Sequence, residues 1–352
     1  MIIEQFLSGF HYGDAVGNSV LRFHEFLLKK GIESRIIAIT IDDKLVDKSI
    51  SFNDYTEVKN SIKIYHFSIA SPLTEYFLKI KGKKVIVYHN ITPSHFFTDF
   101  STHLVRSTIK GREELISLSE TFDLAIADSY YNGKELNELG YNNIKRFPVM
   151  ISRDTYMGMH SKGYFDIFND GRKNIIFVGR ITPNKKIEDL IKILHLYKNN
   201  ISGSIRLIIA GKTDNVPEYY NSIRKLVSGL EINSSDLVFT GHIPFNELLS
   251  VYRAGDVFLS MSEHEGFCLP LIESSFFNIP VVAYNAGAVK ETLGGSGIVM
   301  EKKDFKKIAF LLEKVLNDNV LNKKLKDSAG ERSEEYQLES NPGNLLALLQ
   351  KV

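Results

Sequence analysis

Two α/β units, each a doubly wound parallel sheet, are predicted for this chain by three observations. The length of 352 residues exceeds one ordinary domain and suits two of roughly 150–180 residues. Short apolar runs rich in Val, Ile and Phe recur without internal alternation, as parallel strands covered on both faces require. Between those runs lie segments with helical apolar spacing, so strand and helix alternate along the chain.

The expected strands of the first unit are 2–7, 35–39, 62–67, 84–89 and 124–128. Those of the second are 174–178, 205–210, 237–240, 256–260 and 280–284. Ile187, Leu190, Ile191 and Leu194 fall at i, i+3, i+4 and i+7, which marks a helix. Phe305, Ile308, Ala309, Leu312, Val315 and Leu316 mark another. From Pro148 to Arg172 the alternation lapses into turn formers and mixed charges, which reads as an interdomain linker. Apolar periodicity is lost again at 330–337, and a short apolar helix at Leu345–Leu349 closes the chain. The expected division is 1–152, joined by the C-terminal helix 336–352, and 153–335.

Composition narrows the function classes. A net charge of +1 provides no global field for nucleic acid, and no basic cluster is dense enough for it. The single cysteine, Cys268, excludes an internal disulfide and a thiolate zinc cage and fits a reducing, cytoplasmic setting. The N-terminus lacks the basic and apolar regions of a signal peptide, and no apolar run reaches the roughly 18 residues of a membrane span.

Residues 262–275, SEHEGFCLPLIESS, follow a strand and open a helix. Gly266 lets backbone approach a ligand, and free N–H groups at the helix start attract an anion. Glu265 and Glu273 bracket that turn. Carboxylates beside a phosphate site make sense as acceptors of hydroxyl hydrogen bonds from a sugar or ribose, or as solvated helix-start acids. In FVGRITPNKKIEDLI, residues 177–191, Arg180 and Lys185 follow a strand end, where two cations suit a diphosphate or line an ordinary solvated loop.

In this order the motifs resemble the family-4 retaining glycosyltransferases, the glycosyl transferases group 1. The matching pieces are G-R-x(4)-K at Gly179–Lys185, the strand ends Ala210–Gly211 and Phe239–Gly241, E-G-F-x(5)-E at Glu265–Glu273, and YNAGAVKET at 284–292. The resemblance covers nearly all of residues 172–335. It implies the GT-B fold, two facing Rossmann-like domains with a deep cleft between them. It also implies that Arg180 and Lys185 neutralise the donor diphosphate, Glu273 holds the ribose and Glu265 contacts the transferred sugar. Backbone at Gly266, Phe267 and Cys268 would meet the phosphates, and His242 and Ile243 would frame the base. Cys268 departs from the family, which usually has Gly there.

The first unit carries weaker signals. HYGDAVGNSV, residues 11–20, resembles the acceptor-side glycine loop of the same family through Gly13 and Gly17, and also reads as a simple turn. His89 and Asn90 follow a strand at the ligand-facing edge of a parallel sheet. Family members often carry a histidine there near the reacting sugar, so His89 is a catalytic candidate and Asn90 an acceptor-side one. His66 ends another strand, with function and structure equally balanced. Asp128 or Ser129 reads as a helix cap. Lys79, Lys81, Lys83, Lys84, Arg106, Lys110 and Arg112 form either a solvated face or a peripheral contact with an anionic inner membrane surface.

These observations lead to a metal-independent retaining hexosyltransferase with no cofactor, using a UDP- or GDP-sugar donor and a glycan or lipid-linked acceptor in cell-surface polysaccharide assembly. No nucleic acid partner is expected. A GT-B nucleotide-sugar epimerase, which needs no acceptor, and a non-enzymatic sugar-nucleotide-binding protein are the competing readings.

Overall fold

The computed structural model describes residues 1–11, 13–159, 163–201 and 203–352. The chain forms two compact units. The first comprises Met1–His95, His103–Ile151 and Gln337–Val352, and the second Phe96–Thr102 and Ser152–Tyr336.

The first unit holds a sheet of β1 (Ile2–Phe10), β2 (Glu33–Ile41), β3 (Ile50–Ser51), β4 (Ser61–Phe67), β5 (Lys84–Tyr88), β6 (Leu124–Ala127) and β7 (Ile144–Arg146). Its order is β3-β2-β1-β4-β5-β6-β7. The second unit holds β8 (Lys173–Val178), β9 (Ile205–Ala210), β10 (Leu237–Gly241), β11 (Val257–Ser260), β12 (Val281–Tyr284) and β13 (Ile298–Met300), in the order β10-β9-β8-β11-β12-β13. Every pairing is parallel. Both sheets run outward from a first strand and then reverse, between β1 and β4 and between β8 and β11. Such a reversal leaves a crevice beyond the carboxyl ends of two adjacent strands, where ligands of open α/β sheets bind.

The central strands are covered on both faces, so β4, β6, β9 and β11 are buried at every position. Their largely apolar character follows from that, although β4 also carries the buried Lys63 and His66 and β9 the buried Arg206. Helix Ala15–Lys29 turns Val20, Phe23 and Leu27 onto the first sheet. The C-terminal helix Pro342–Leu349 adds Leu345 and Leu349 to the same core.

Three expectations need correction. The supposed linker contains two short helices, Arg153–Gly158 and Gly163–Phe168, which bury Tyr156 and Phe168; the residues between 159 and 163 lie outside the described ones. The loss of periodicity at 330–337 marks no break, because helix Asn319–Glu339 runs through it. Phe96–Thr102, expected in the first unit, falls in the second, where Phe100 meets Tyr219 edge-on at 5.3 Å between ring centres.

Candidate functional site

The reversal of the second sheet places the end of β8 next to the end of β11, in register through Val257 with Ile175 and Phe258 with Ile176. The two motifs that carried the sequence reading emerge there. After β8 the chain makes a turn at Pro183–Lys185, passes through Lys186 in the left-handed conformation (φ 51°), and enters helix Ile187–Asn200. After β11 it runs through Glu263, His264 and Glu265 to helix Leu269–Phe276.

Asn184 laces these loops together. Its side-chain amide donates to the His264 carbonyl at 3.1 Å, and its own carbonyl accepts from the Glu263 N–H at 2.8 Å. The next residue, Lys185, then meets Glu265, Nζ to Oε2 at 2.6 Å, with side-chain exposures of 17% and 6%. Arg180 differs. It is exposed, and among the described residues its guanidinium has no hydrogen-bond or ion-pair partner. The structure thus brings together Lys185 and Glu265, from motifs 80 residues apart, and leaves one cation of the first motif open to solvent.

The turn at 284–292 backs Glu265. Gly287 (φ +56°) lies so close that a Cβ there would stand 2.2 Å from the Glu265 carbonyl oxygen, so only glycine fits. The Ala288 N–H donates to that carbonyl at 2.9 Å, and the Thr292 hydroxyl donates to the Phe267 carbonyl at 2.6 Å.

Cys268 occupies the left-handed region (φ 69°, ψ 64°) just before helix Leu269–Phe276. A side chain there is strained. Its thiol is buried beside Glu265. Burial pushes it well up, the Glu265 carboxylate adds to the rise and Lys185 opposes it, so the sulfur stays protonated. Gly266 is half-buried and Phe267 buried.

Glu273 is held differently from what its motif position suggests. It lies well inside the helix and is buried, with Oε1 accepting from the Tyr156 hydroxyl and Oε2 from the Tyr252 hydroxyl, both at 2.5 Å. Burial raises its carboxyl above the ordinary value while the two phenols act to lower it. Both phenols are pushed well up by burial and then by Glu273. His242 and Ile243 follow β10, the sheet's outer strand, exposed and half-buried, and neither hydrogen-bonds the Lys185–Glu265 pair.

In the first unit, His89 stands just past β5 with its side chain 5% exposed. Its Nδ1 lies 2.8 Å from Asp128 Oδ2 and its Nε2 lies 3.0 Å from His66 Nδ1. Asp128 is therefore a histidine partner and not a helix cap. Ser129 takes the cap, its hydroxyl accepting from the Asn132 N–H at 3.0 Å. Asn90, left-handed at φ 72°, donates to Asn132 Oδ1 at 2.8 Å and to Glu135 Oε2 at 3.2 Å. Gly17 is inside helix Ala15–Lys29, where a Cβ would approach the His11 carbonyl to 2.9 Å. Gly13 is exposed beside Tyr12, which lies outside the described residues. The partners Asn184, at an unspecified position inside the G-R-x(4)-K motif, and Tyr156 and Tyr252, which no motif marks, were missed from sequence.

Residues 166–333 match the model of the family described as glycosyl transferases group 1. The serotype-specific mannosyltransferase WbdA of Escherichia coli is 27% identical over 162 residues, 46% of this chain and 20% of that protein. The O-antigen chain mannosyltransferase RfbU of Salmonella typhimurium is 23% identical over 238 residues, 66% of this chain and 61% of that protein. The chain thus spans about a fifth of the length of WbdA and under two thirds of RfbU. Among solved structures, Anabaena Alr3699/HepE in complex with UDP-glucose superposes with a TM-score of 0.73 at 13% identity, covering 99% of this chain and 98% of that one. Residues 166–333 belong to the group 1 glycosyltransferases, in a chain whose two parallel-sheet units have the Rossmann-like build of the GT-B fold.

Proposed function

We propose that the chain is a retaining hexosyltransferase that takes a sugar from UDP or GDP and adds it to a glycan or lipid-linked acceptor in polysaccharide assembly. The observation that carries this reading is the Lys185–Glu265 pair at the β8–β11 reversal, with Arg180 unpaired beside it in sequence. A nucleoside diphosphate brings two phosphates that need cations, and the sugar brings hydroxyls that need acceptors. Lys185 and Arg180 supply the first and Glu265 the second. Glu273, its carboxylate fixed by two tyrosines, retains lone pairs for ribose hydroxyls. Relatives named as a serotype-specific mannosyltransferase and an O-antigen chain mannosyltransferase support a hexose donor and a glycan acceptor. The cations do the work of a divalent metal at the leaving diphosphate, and the nucleotide sugar is substrate, not cofactor.

Arg180 makes the cleaner test, because it is exposed and its removal leaves no partner stranded. Arg180→Ala is expected to fold as the wild type does and to bind UDP or GDP more weakly by about 1.5–3 kcal/mol, the usual scale for hydrogen bonds to charged groups. A thermal-shift titration with both nucleotides and their sugars measures it, since a ligand of the folded state raises the midpoint. Equal affinity in wild type and Arg180→Ala would remove the diphosphate site.

A further inference from the structure

The His89 ring belongs to a chain of hydrogen bonds that ends on an acceptor at both sides. Gln5 Nε2 donates to the Val20 carbonyl at 3.2 Å. Gln5 Oε1 faces His66 Nε2 at 3.3 Å, His66 Nδ1 faces His89 Nε2 at 3.0 Å, and His89 Nδ1 faces Asp128 Oδ2 at 2.8 Å. Gln5, His66 and Asp128 are all buried. The two imidazoles lie nearly parallel, their planes 7° apart.

Proton counting constrains this chain. A carbonyl has no proton to give, so the Val20 link needs a Gln5 N–H, which turns the amide oxygen of Gln5 toward His66. That oxygen is likewise only an acceptor, so His66 must hold its proton on Nε2 and offer a lone pair at Nδ1. His89 must then donate from Nε2. The remaining link, from His89 Nδ1 to Asp128, requires one more proton. Turning the Gln5 amide over would set its oxygen against the Val20 carbonyl, which burial makes costly. Four links need four protons, and a neutral Gln5–His66–His89 chain with an ionised Asp128 supplies three.

We propose that the fourth proton resides on His89, and that Gln5, His66 and Asp128 are positioning residues that hold it as an imidazolium paired with the Asp128 carboxylate. Imidazole is a stronger base than carboxylate, so the proton shared with Asp128 sits on the ring. Burial, and then the neighbouring His89, hold His66 well below its ordinary value, so His66 stays neutral and the charge falls on His89. Among the described residues, Asp128 and His66 are the titratable groups paired with the ring.

One consequence reaches the proposed transfer reaction and rests on that reading. A doubly protonated ring with both nitrogens bonded inside the unit has no lone pair for an acceptor hydroxyl. His89 is then a fixed cation past β5, not a general base, and the acceptor proton must leave to another group.

Nitrogen NMR of the full chain labelled with 15N-histidine tests the proposal without reference to activity. At pH 8 both ring nitrogens of His89, assigned from the His89→Gln spectrum, are expected to show protonated shifts, and His66 one protonated and one bare nitrogen. In Gln5→Leu only two links remain, which two neutral histidines satisfy, so His89 is expected to lose a proton at Nε2. Wild-type His89 with one bare nitrogen at pH 8 overturns the proposal, as does a Gln5→Leu spectrum unchanged from wild type. If Gln5→Leu does not fold, the wild-type spectrum decides alone. The kinetic arm is separate. With a donor and acceptor in hand, kcat/KM is expected to vary less than about twofold from pH 6 to pH 8, where a histidine base would give a fall approaching tenfold per unit on its acid side. Failure of every donor and acceptor to react bears on the transferase reading alone and leaves the NMR result standing.

Discussion

Glu273 shows where residue-level reading from sequence stops. Its motif position was legible, as were Arg180, Lys185 and Glu265, because fixed spacing after a strand end is a local property. Its partners were not: Tyr156 lies 117 residues away and Tyr252 lies 21 away, and nothing in a tyrosine's neighbours announces that its hydroxyl will meet a carboxylate. Cys268 was visible as a departure from glycine, and its left-handed backbone supplies the reason glycine is usual there. The environment of Glu273 has a consequence for stability. Burial raises its carboxyl, with the two phenols opposing, so between its ordinary value of 4.5 and its raised folded value the folded state binds more protons than the unfolded one. Stability contributed by this group is therefore full below about pH 4.5 and falls as pH rises through the folded value. Glu273→Gln removes the titration. Urea denaturation from about pH 4.5 to about pH 8 is expected to show the wild type losing stability relative to Glu273→Gln. A constant gap across that range contradicts the raised value.

At the scale of elements, long buried strands were legible and short ones were not. The expected strands match β1, β2, β4, β5 and β6 and β8 to β12 within a few residues. The two-residue β3 and the three-residue β7 and β13 went unseen, since so few residues cannot display a pattern. Helix Asn319–Glu339 hid for another reason. Its buried positions, Leu325, Ala329, Arg332, Ser333 and Tyr336, keep helical spacing, but two of them are polar. Arg332 is accommodated by donating to the Thr292 carbonyl at 2.9 Å. Burial periodicity survives while apolar periodicity is lost. Helix Ile187–Asn200, which follows the Arg180–Lys185 loop, also starts on a distant partner. Lys186 offers no side-chain cap, and the buried Tyr219 hydroxyl accepts from the Ile187 N–H at 2.9 Å while donating to Glu188. Tyr219→Phe leaves that N–H without its acceptor and is expected to cost about 1–3 kcal/mol, the desolvation penalty of a buried donor. Guanidinium unfolding measures it, and a loss under about 0.3 kcal/mol would mean that the hydroxyl does not cap the helix.

For the whole molecule, two parallel sheets share the same reversal, and the doubly wound build followed from strand–helix alternation alone. Among the described residues no helix is long and apolar enough to cross a membrane. The carboxylates of the second unit bear on the course of the proposed transfer. A retaining reaction by double displacement needs a carboxylate free to attack the sugar carbon and then to be released. Glu265 is tied to Lys185 through Oε2 at 2.6 Å, which disperses the charge a nucleophile would use. Glu273 has both oxygens bonded to phenols and is buried within its helix. Neither suits attack, whereas both suit accepting hydroxyl hydrogen bonds. Retention is then expected through front-face transfer, with the leaving diphosphate taking the acceptor proton and Arg180 and Lys185 stabilising the charge that develops on it. Because the proposed reading gives those cations the metal's role, transfer is expected to continue at a comparable rate after exhaustive chelation. Proton NMR of the first product is expected to show the donor's anomeric configuration, and mass spectrometry of the wild type during turnover no sugar on Glu265. An inverted linkage would overturn retention. A sugar adduct on Glu265 of the wild type would overturn the front-face route while leaving retention in place, and activity lost to chelation and restored by manganese would show that the two cations do not suffice.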